Sequence, residues 1–266
     1  MNVMSAIDTP ENLSPLLRTL ARNKFLPAPP PSLMFCGDGD FRAIGAEFLG
    51  HFVARGGLAP HERVLDIGSG IGRMAIPLTQ YLEESGSYDG IDIVADGIGW
   101  CRDAITPVYP AFNFHHLDLA HPLYNPQGSL ATMDARLPFA DGSFDFVCMI
   151  SLLTHLELAE AGHYAKEAAR LLAPGGRCFV TAFLMNPPAR DALAAGGGAL
   201  AFDPSAPGPV WYADPDAPSA AVAFDEDALL DRFLRAGLRR RPGTEYGHWS
   251  GRPTPVFQDL CVFERG

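Results

Sequence analysis

The stretch VLDIGSGIGR, Val64 to Arg73, constrains the fold more than any other part of the chain. A short apolar run, Arg63–Ile67, enters Gly68-Ser69-Gly70-Ile71-Gly72, and a helical pattern follows. Glycines let the backbone turn sharply and approach a ligand closely. A helix starting there offers free N–H groups and a positive dipole end, suited to phosphate or carboxylate. A P-loop needs a Gly-Lys-Ser/Thr end, which is missing. A dinucleotide fingerprint needs Gly or Ala at the sixth position, where Arg73 stands. A tight turn with no ligand is the bland alternative. Two acids weigh against it. Asp66 lies just before the turn, and Asp92 ends the next strand, about where an acid reaches a ribose in open α/β sheets.

Around this turn, strands and helices alternate. Ser87–Asp92, Phe112–His116 and Phe144–Met149 read as further strands, the last introduced by Asp141-Gly142. The pattern predicts helices at Phe41–Arg55, from the glycine turn to about Glu84, at Ala95–Ile105 and at Glu160–Leu172. Pro77 is tolerable only in a helix's first turn. Pro174-Gly175-Gly176 stops the last of these helices before a fifth strand, Arg177–Leu184. Asp225 reads as an N-cap for a helix through Arg235 that buries Leu229, Leu230, Phe233 and Leu234 and stops at Gly237. Strands around Leu238–Thr244 and Phe257–Phe263 close the chain. This rhythm predicts an α/β fold with a mostly parallel sheet and helices on both faces.

Two regions break the rhythm. Residues 1–35 read as an N-terminal arm before a domain at 36–266, with turn signals at Pro10 and Ser14-Pro15 and a short helix at Leu16–Leu20. Asn186–Ala223 is Pro/Gly/Ala-rich yet holds Phe202, Trp211 and Tyr212. It is a disordered surface insertion or a substrate-side lid, and the aromatics, costly to leave in water, favour the lid.

Bulk properties narrow the partners. A formal charge of −11, with no basic run beyond Arg239-Arg240-Arg241, argues against a nucleic-acid substrate. No 18-residue apolar window or leader-like start is present, so the expectation is a cytoplasmic protein with no membrane segment. The five cysteines, Cys36, Cys101, Cys148, Cys178 and Cys261, form no CxxC pair and read as reduced thiols. His115, His116 and His121 match no zinc spacing, so no metal is expected.

The chain resembles the class I S-adenosylmethionine-dependent methyltransferases over roughly residues 40–265. VLDIGSGIGR is similar to their first motif and Tyr88–Val94 (YDGIDIV) to their second. Met133–Leu156 (MDARLPFADGSFDFVCMISLLTHL) resembles their adenine loop and fourth motif, and Leu171–Phe183 (LLAPGGRCFVTAF) their fifth-strand region. The resemblance implies a Rossmann-like, seven-stranded sheet whose final strand runs antiparallel. It implies S-adenosylmethionine as cofactor and S-adenosylhomocysteine as product. Gly68, Ser69 and Gly70 would pass beneath the methionine part, Asp66 would receive its ammonium, and Arg73 would reach its carboxylate or serve structurally. Asp92 would accept both ribose hydroxyls, with Ile93 packing on the adenine. Asp134 and Ala135 would read the adenine edge, with an ordinary turn carboxylate as the alternative for Asp134, and Ser151 would lie near the reacting centre. A bacterial subgroup with FHH, AVAFDE-like, YGSWCGR-like and QD stretches is a closer likeness. Here those stretches are Phe114-His115-His116, Ala221–Glu226, Tyr246–Arg252 and Gln258-Asp259, with departures at His248 and Ser250.

The implied reaction moves a methyl group to an oxygen or nitrogen of a small molecule or glycan. Such an acceptor must shed a proton, usually to a positioned base. His155, just past strand four, is the first candidate, and a packed or capping histidine is its alternative. His248 is the second, with Tyr246 and Trp249 as pocket wall or core. The rival functions are a methyltransferase-like protein that binds cofactor without turnover and an NAD(P)-dependent oxidoreductase.

Overall fold

A computed structural model describes residues 13–35, 37 and 39–266. The turn signal at Pro10 and the thiol of Cys36 lie outside the described residues. The strands are β1 (Arg63–Ile67), β2 (Ser87–Asp92), β3 (Phe112–His116), β4 (Phe144–Met149), β5 (Leu172–Ala182), β6 (Leu184–Met185), β7 (Val210–Tyr212), β8 (Val222–Asp225), β9 (Leu238–Arg240) and β10 (Asp259–Arg265). Seven form one sheet in the order β3-β2-β1-β4-β5-β10-β9. β1 pairs in parallel with β2 and β4, and β2 with β3. β10 runs antiparallel to β5 and β9, as the resemblance implied. This is the seven-stranded, mostly parallel α/β architecture expected from the sequence.

The chain divides into two compact units, Met1–Asp118 with Phe144–Cys148, and Leu119–Ser143 with Met149–Gly266. In the first, helices α1 (Leu13–Arg22) and α2 (Phe41–Ala54) pack together. α1 is longer than the short helix predicted, because Leu13, Leu17 and Leu20 repeat at helical spacing and are all buried. Asp40 caps α2 by accepting from the N–H groups of Arg42 and Ala43. The guanidinium of Arg63 grips both Asp145 oxygens at 2.8 and 2.9 Å, tying the start of β1 to β4.

The helix predicted from the glycine turn to Glu84 is not formed. Only α3 (Ala75–Leu78) is helical, and turns flank it. Pro77 sits inside its single turn, where a missing N–H costs nothing. The chain then leaves the helical path as Glu83 N–H donates to Pro60 O. α4 (Ala95–Ala104) follows β2 closely as predicted.

In the second unit, α5 (Leu158–Leu171) starts on a reciprocal cap between Glu157 and Glu160. It ends at Leu171, and β5 begins at once, earlier than Arg177, because the residue before Pro174 is driven to extended backbone. The segment after β6 is not disordered. It contains α6 (Pro187–Ala194), β7 and the start of β8, and a small sheet forms in the order β6-β8-β7. Phe202 and Trp211 pack with Phe183, Met185 and Trp249 in a buried cluster. Their mutual burial explains these two aromatics without a ligand, and Tyr212 donates its hydroxyl to Glu157. Asp225 caps α7 (Glu226–Arg235) as predicted, by accepting from Ala228 N–H. Of its four predicted buried residues only Leu229 and Phe233 are buried, one i,i+4 stripe, and Leu234 is 62% exposed. The four described cysteines are buried thiols outside any disulfide, and burial pushes the Cys261 thiol up to about 12, which makes that thiol inert.

Candidate active site

In the first unit, β1 delivers Asp66 into the core and ends in the glycine turn. Gly68, Gly70 and Gly72 have φ of 81°, 56° and 73°, which only glycine adopts without strain. Gly90 of β2 lies against Ser69, and a Cβ there would come within 2.9 Å of Ser69 Oγ. The turn therefore packs directly on β2. Four of the amides expected for an anion, those of Gly68, Ser69, Gly70 and Gly72, are already used. Gly68 and Ser69 N–H donate to Ile91 O at 2.8 and 3.1 Å, and Gly72 N–H donates to Ser69 O at 3.0 Å. Gly70 N–H donates to Asp92 Oδ2 at 2.7 Å, and Val94 N–H to Asp92 Oδ1 at 2.8 Å.

What the turn presents instead is negative charge. Asp66 is 1% exposed, and its Oδ2 accepts the Tyr88 hydroxyl at 2.7 Å. Its Oδ1 is buried with no hydrogen-bond partner. Burial raises the carboxyl to about 6, against hydrogen bonds from Tyr88 and Cys148 and with help from the Asp92 charge. Burial also raises Asp92, partly offset by the Val94 and Gly70 N–H groups. Two desolvated acids beside spent amides repel a phosphate. They suit a cation and hydroxyl donors.

Arg73 follows the last glycine of the turn. Its guanidinium makes a long contact of 3.5 Å to Gly37 O and lies 6.0 Å from the Phe41 ring centroid. Ile93 is half-buried and its carbonyl meets His116 Nε2 at 3.2 Å. His115 pairs with Asp89 at 2.7 Å. Among the described residues no group of three metal-ligating side chains forms.

In the second unit, Ser151 is the one described non-glycine residue with positive φ, at 57°. Left-handed backbone costs an L-residue about 1–2 kcal/mol, and such strain gathers at functional sites. Three bonds hold it there: its N–H to Thr181 Oγ1 at 2.7 Å, its hydroxyl to Gln258 at 3.2 Å, and Thr154 Oγ1 to its carbonyl at 2.8 Å. Asp134 is exposed in a short 3₁₀ turn, Thr132–Asp134, and Ala135 follows it half-buried.

His155 is half-buried with both ring nitrogens engaged. Nδ1 lies 2.8 Å from Ser219 O, and a carbonyl only accepts, so Nδ1 carries the proton. Nε2 is then the lone pair and receives the Tyr124 hydroxyl at 3.2 Å. Burial lowers the pKa of His155, the Ser219 carbonyl opposing and His121 reinforcing the shift, so the ring is held neutral. His121 donates from Nε2 to His155 O at 3.0 Å and stacks on Tyr124 with centroids 5.2 Å apart. The sequence reading missed Tyr124, which has no signature beyond lying three residues from His121.

His248 is exposed, with its ring centroid 5.3 Å from Phe257. Of the two readings of its neighbours, pocket wall or core, the contacts are those of core and scaffold. Trp249 is fully buried and donates to Asp259 at 2.9 Å, and Tyr246 donates to Glu226 at 2.8 Å. Asp259 also accepts from Leu184 and Gly247 N–H, each at 2.6 Å. This gives a structural reason for the Gln258-Asp259 stretch and its Trp249 partner.

Comparison with known proteins agrees with this fold. A family model described as a methyltransferase domain matches residues 65–180. An arsenite methyltransferase of Aquipseudomonas alcaligenes is 30% identical over 51% of this chain and 37% of its own length. A demethylmenaquinone methyltransferase of Beutenbergia cavernae is 34% identical over 49% of this chain and 45% of its own. The matched stretch thus spans less than half of either relative. The crystal structure of magnesium protoporphyrin IX methyltransferase from Synechocystis, which has S-adenosylhomocysteine bound, superposes with TM-score 0.54. It is 18% identical and the match covers 86% of this chain and 90% of that one.

Proposed function

We propose that this chain, which carries a methyltransferase domain over residues 65–180 in the class I fold, is an S-adenosylmethionine-dependent methyltransferase. Its acceptor is an oxygen or nitrogen of a small molecule or glycan. The observation that carries the reading is the unpartnered, buried Oδ1 of Asp66 beside a glycine turn in which the Gly68, Ser69, Gly70 and Gly72 amides are already used. An orphan carboxylate oxygen in the core is costly, and an ammonium group satisfies it. A pyrophosphate does not, which disfavours the oxidoreductase alternative. Asp92 fits the same cofactor. Its oxygens are aimed by Gly70 and Val94 N–H and keep lone pairs for the two ribose hydroxyls.

When bound, the cofactor supplies a methyl group on a positively charged sulfur. This chain's residues bind, orient and manage the proton. Asp66 holds the amino end and Gly68, Ser69 and Gly70 give the close approach. Asp92 fixes the ribose, Ile93 packs on the adenine, and Asp134 and Ala135 read its edge. Ser151 is the pre-set backbone at the acceptor end. His155 takes the acceptor's proton at Nε2, where the Tyr124 hydroxyl now donates, and the Nδ1–H bond to Ser219 O strengthens once the ring is charged. The held tautomer favours His155 over exposed His248 as the base.

Calorimetric titration with S-adenosylhomocysteine, NAD and NADP tests the cofactor. Binding of the first alone is expected, and binding of a nicotinamide dinucleotide in its place refutes the assignment. A methyl-release assay over hydroxyl, amine and sugar acceptors then tests turnover, and binding without product on any of them would leave the cofactor-binding alternative.

A further inference from the structure

α5 carries a polar stripe at His163, Glu167 and Arg170, spaced i, i+4, i+7, so the three side chains share one face. All three reach the loop that follows Asp134. His163 Nε2 lies 2.7 Å from Ala135 O and, facing a carbonyl, donates. Glu167 Oε2 accepts Leu137 N–H at 2.8 Å. Arg170 donates to Leu137 O at 3.0 Å, Phe139 O at 2.8 Å and Asp141 Oδ1 at 2.8 Å. Arg170 and Glu167 also bind each other through two bonds of 2.6 and 2.9 Å. The backbone closes the run, Gly142 N–H donating to Arg170 O at 3.0 Å. The loop is therefore pinned at residues 135, 137, 139, 141 and 142.

This ladder is expensive to build. Glu167 is only 8% exposed, and burial alone raises a carboxyl. The Arg170 and Leu137 bonds outweigh that burial and hold it below the ordinary carboxylate range. A loop needing no fixed shape would not require a buried ion pair and five anchor points. Within the loop, Asp134 is exposed and Ala135 is the first anchored residue.

We propose that His163, Glu167 and Arg170 are positioning residues for adenine recognition. By holding Ala135 through its carbonyl, the stripe sets the direction of the Asp134 carboxylate and of the adjoining peptide toward the adenine edge. This rests on the reading above that Asp134 and Ala135 read adenine. His163 is the member that sits next to the reading pair and is half-buried, so it is the one to alter without stranding the Glu167 charge.

The test compares two ligands by calorimetry, S-adenosylhomocysteine and S-inosylhomocysteine, in which an oxygen replaces the exocyclic amine of adenine. A carboxylate accepts from the amine and repels the oxygen. The wild-type protein is expected to prefer the adenine ligand about 5- to 150-fold. His163→Ala should collapse that ratio toward one, and His163→Gln, which keeps a donor at similar reach, should restore it. A stability loss alone lowers both affinities and leaves the ratio unchanged. If His163→Ala keeps the wild-type ratio while Asp134→Ala abolishes it, the positioning role is refuted. If Asp134→Ala also keeps it, adenine is read elsewhere and the proposal falls with that reading. If neither ligand binds the wild-type protein, it is the cofactor assignment itself that fails.

Discussion

Asp66→Asn replaces a buried carboxylate by a side chain of the same shape that cannot ionise. In the folded protein the carboxyl titrates at about 6 rather than 3.8. A shift of about two units corresponds to roughly 3 kcal/mol in favour of the protonated form. The folded chain thus holds this proton more tightly than the unfolded chain does. Stability conferred by the neutral form is complete below the unfolded pKa, falls as pH rises through that window, and is lost above about 6. Asparagine mimics the protonated acid, because its oxygen still accepts the Tyr88 hydroxyl and its amide replaces the unpaired Oδ1. Denaturant melts of the unliganded protein should therefore show both forms equally stable near the acid end. The variant should be more stable by up to ~3 kcal/mol at neutral pH. The same substitution removes the anion proposed to receive the ammonium group and should weaken S-adenosylhomocysteine binding about 10- to 150-fold. Parallel stability curves, or a variant less stable at neutral pH, would mean that the carboxylate is satisfied in the unliganded protein. Asp66 would then have no unmet need for an ammonium group.

Asp92→Ala should weaken S-adenosylhomocysteine about 5- to 150-fold by titration calorimetry, since both the ribose acceptor and the anchor of Gly70 N–H disappear, and unchanged affinity in a folded variant removes Asp92 from the site. With an identified acceptor, His155→Gln should cut the single-turnover rate about 10²- to 10⁴-fold while sparing cofactor affinity. Because burial lowers the His155 pKa below 6.5, the wild-type rate should be flat at neutral pH and fall only on the acid side of that value. A wild-type rate and pH profile in the variant excludes His155 as the base. Trp211→Ala should cost about 3–5 kcal/mol in a denaturant melt, because the indole is buried among Phe202, Phe183 and Trp249 and also donates to Ala206 O at 3.0 Å. A loss under ~1 kcal/mol would mean that the insertion's aromatic cluster does not support the fold.

Local pattern alone placed β1, β2, β3 and β4 with the bounds observed, since short apolar runs closed by glycine, proline or Asp-Gly leave little choice of register. The same local signals located the Asp225 cap and the Gly237 stop. They also located the two acids, at the carboxyl ends of neighbouring strands. Tertiary structure decided what those residues do, because the deciding partners are distant in sequence. Ile91 and Asp92 accept the Gly68, Ser69 and Gly70 amides of the glycine turn, which leaves the two carboxylates as the charge beside it. Complete burial, a property of the packed core, moves the Asp66 carboxyl to about 6. Ser219, 64 residues away, fixes the proton on His155, and Phe41 and Gly37 come near the Arg73 guanidinium. The Asn186–Ala223 insertion had no periodicity to read, because its order comes from β-pairing and from burying Phe202 and Trp211 against Trp249. The stripe at His163, Glu167 and Arg170 was visible as spacing, yet only the folded loop shows what it grips. Sequence sets which chemical groups are present and the local path of the chain. Desolvation and long-range hydrogen bonding, which exist only after folding, set their charge, tautomer and direction.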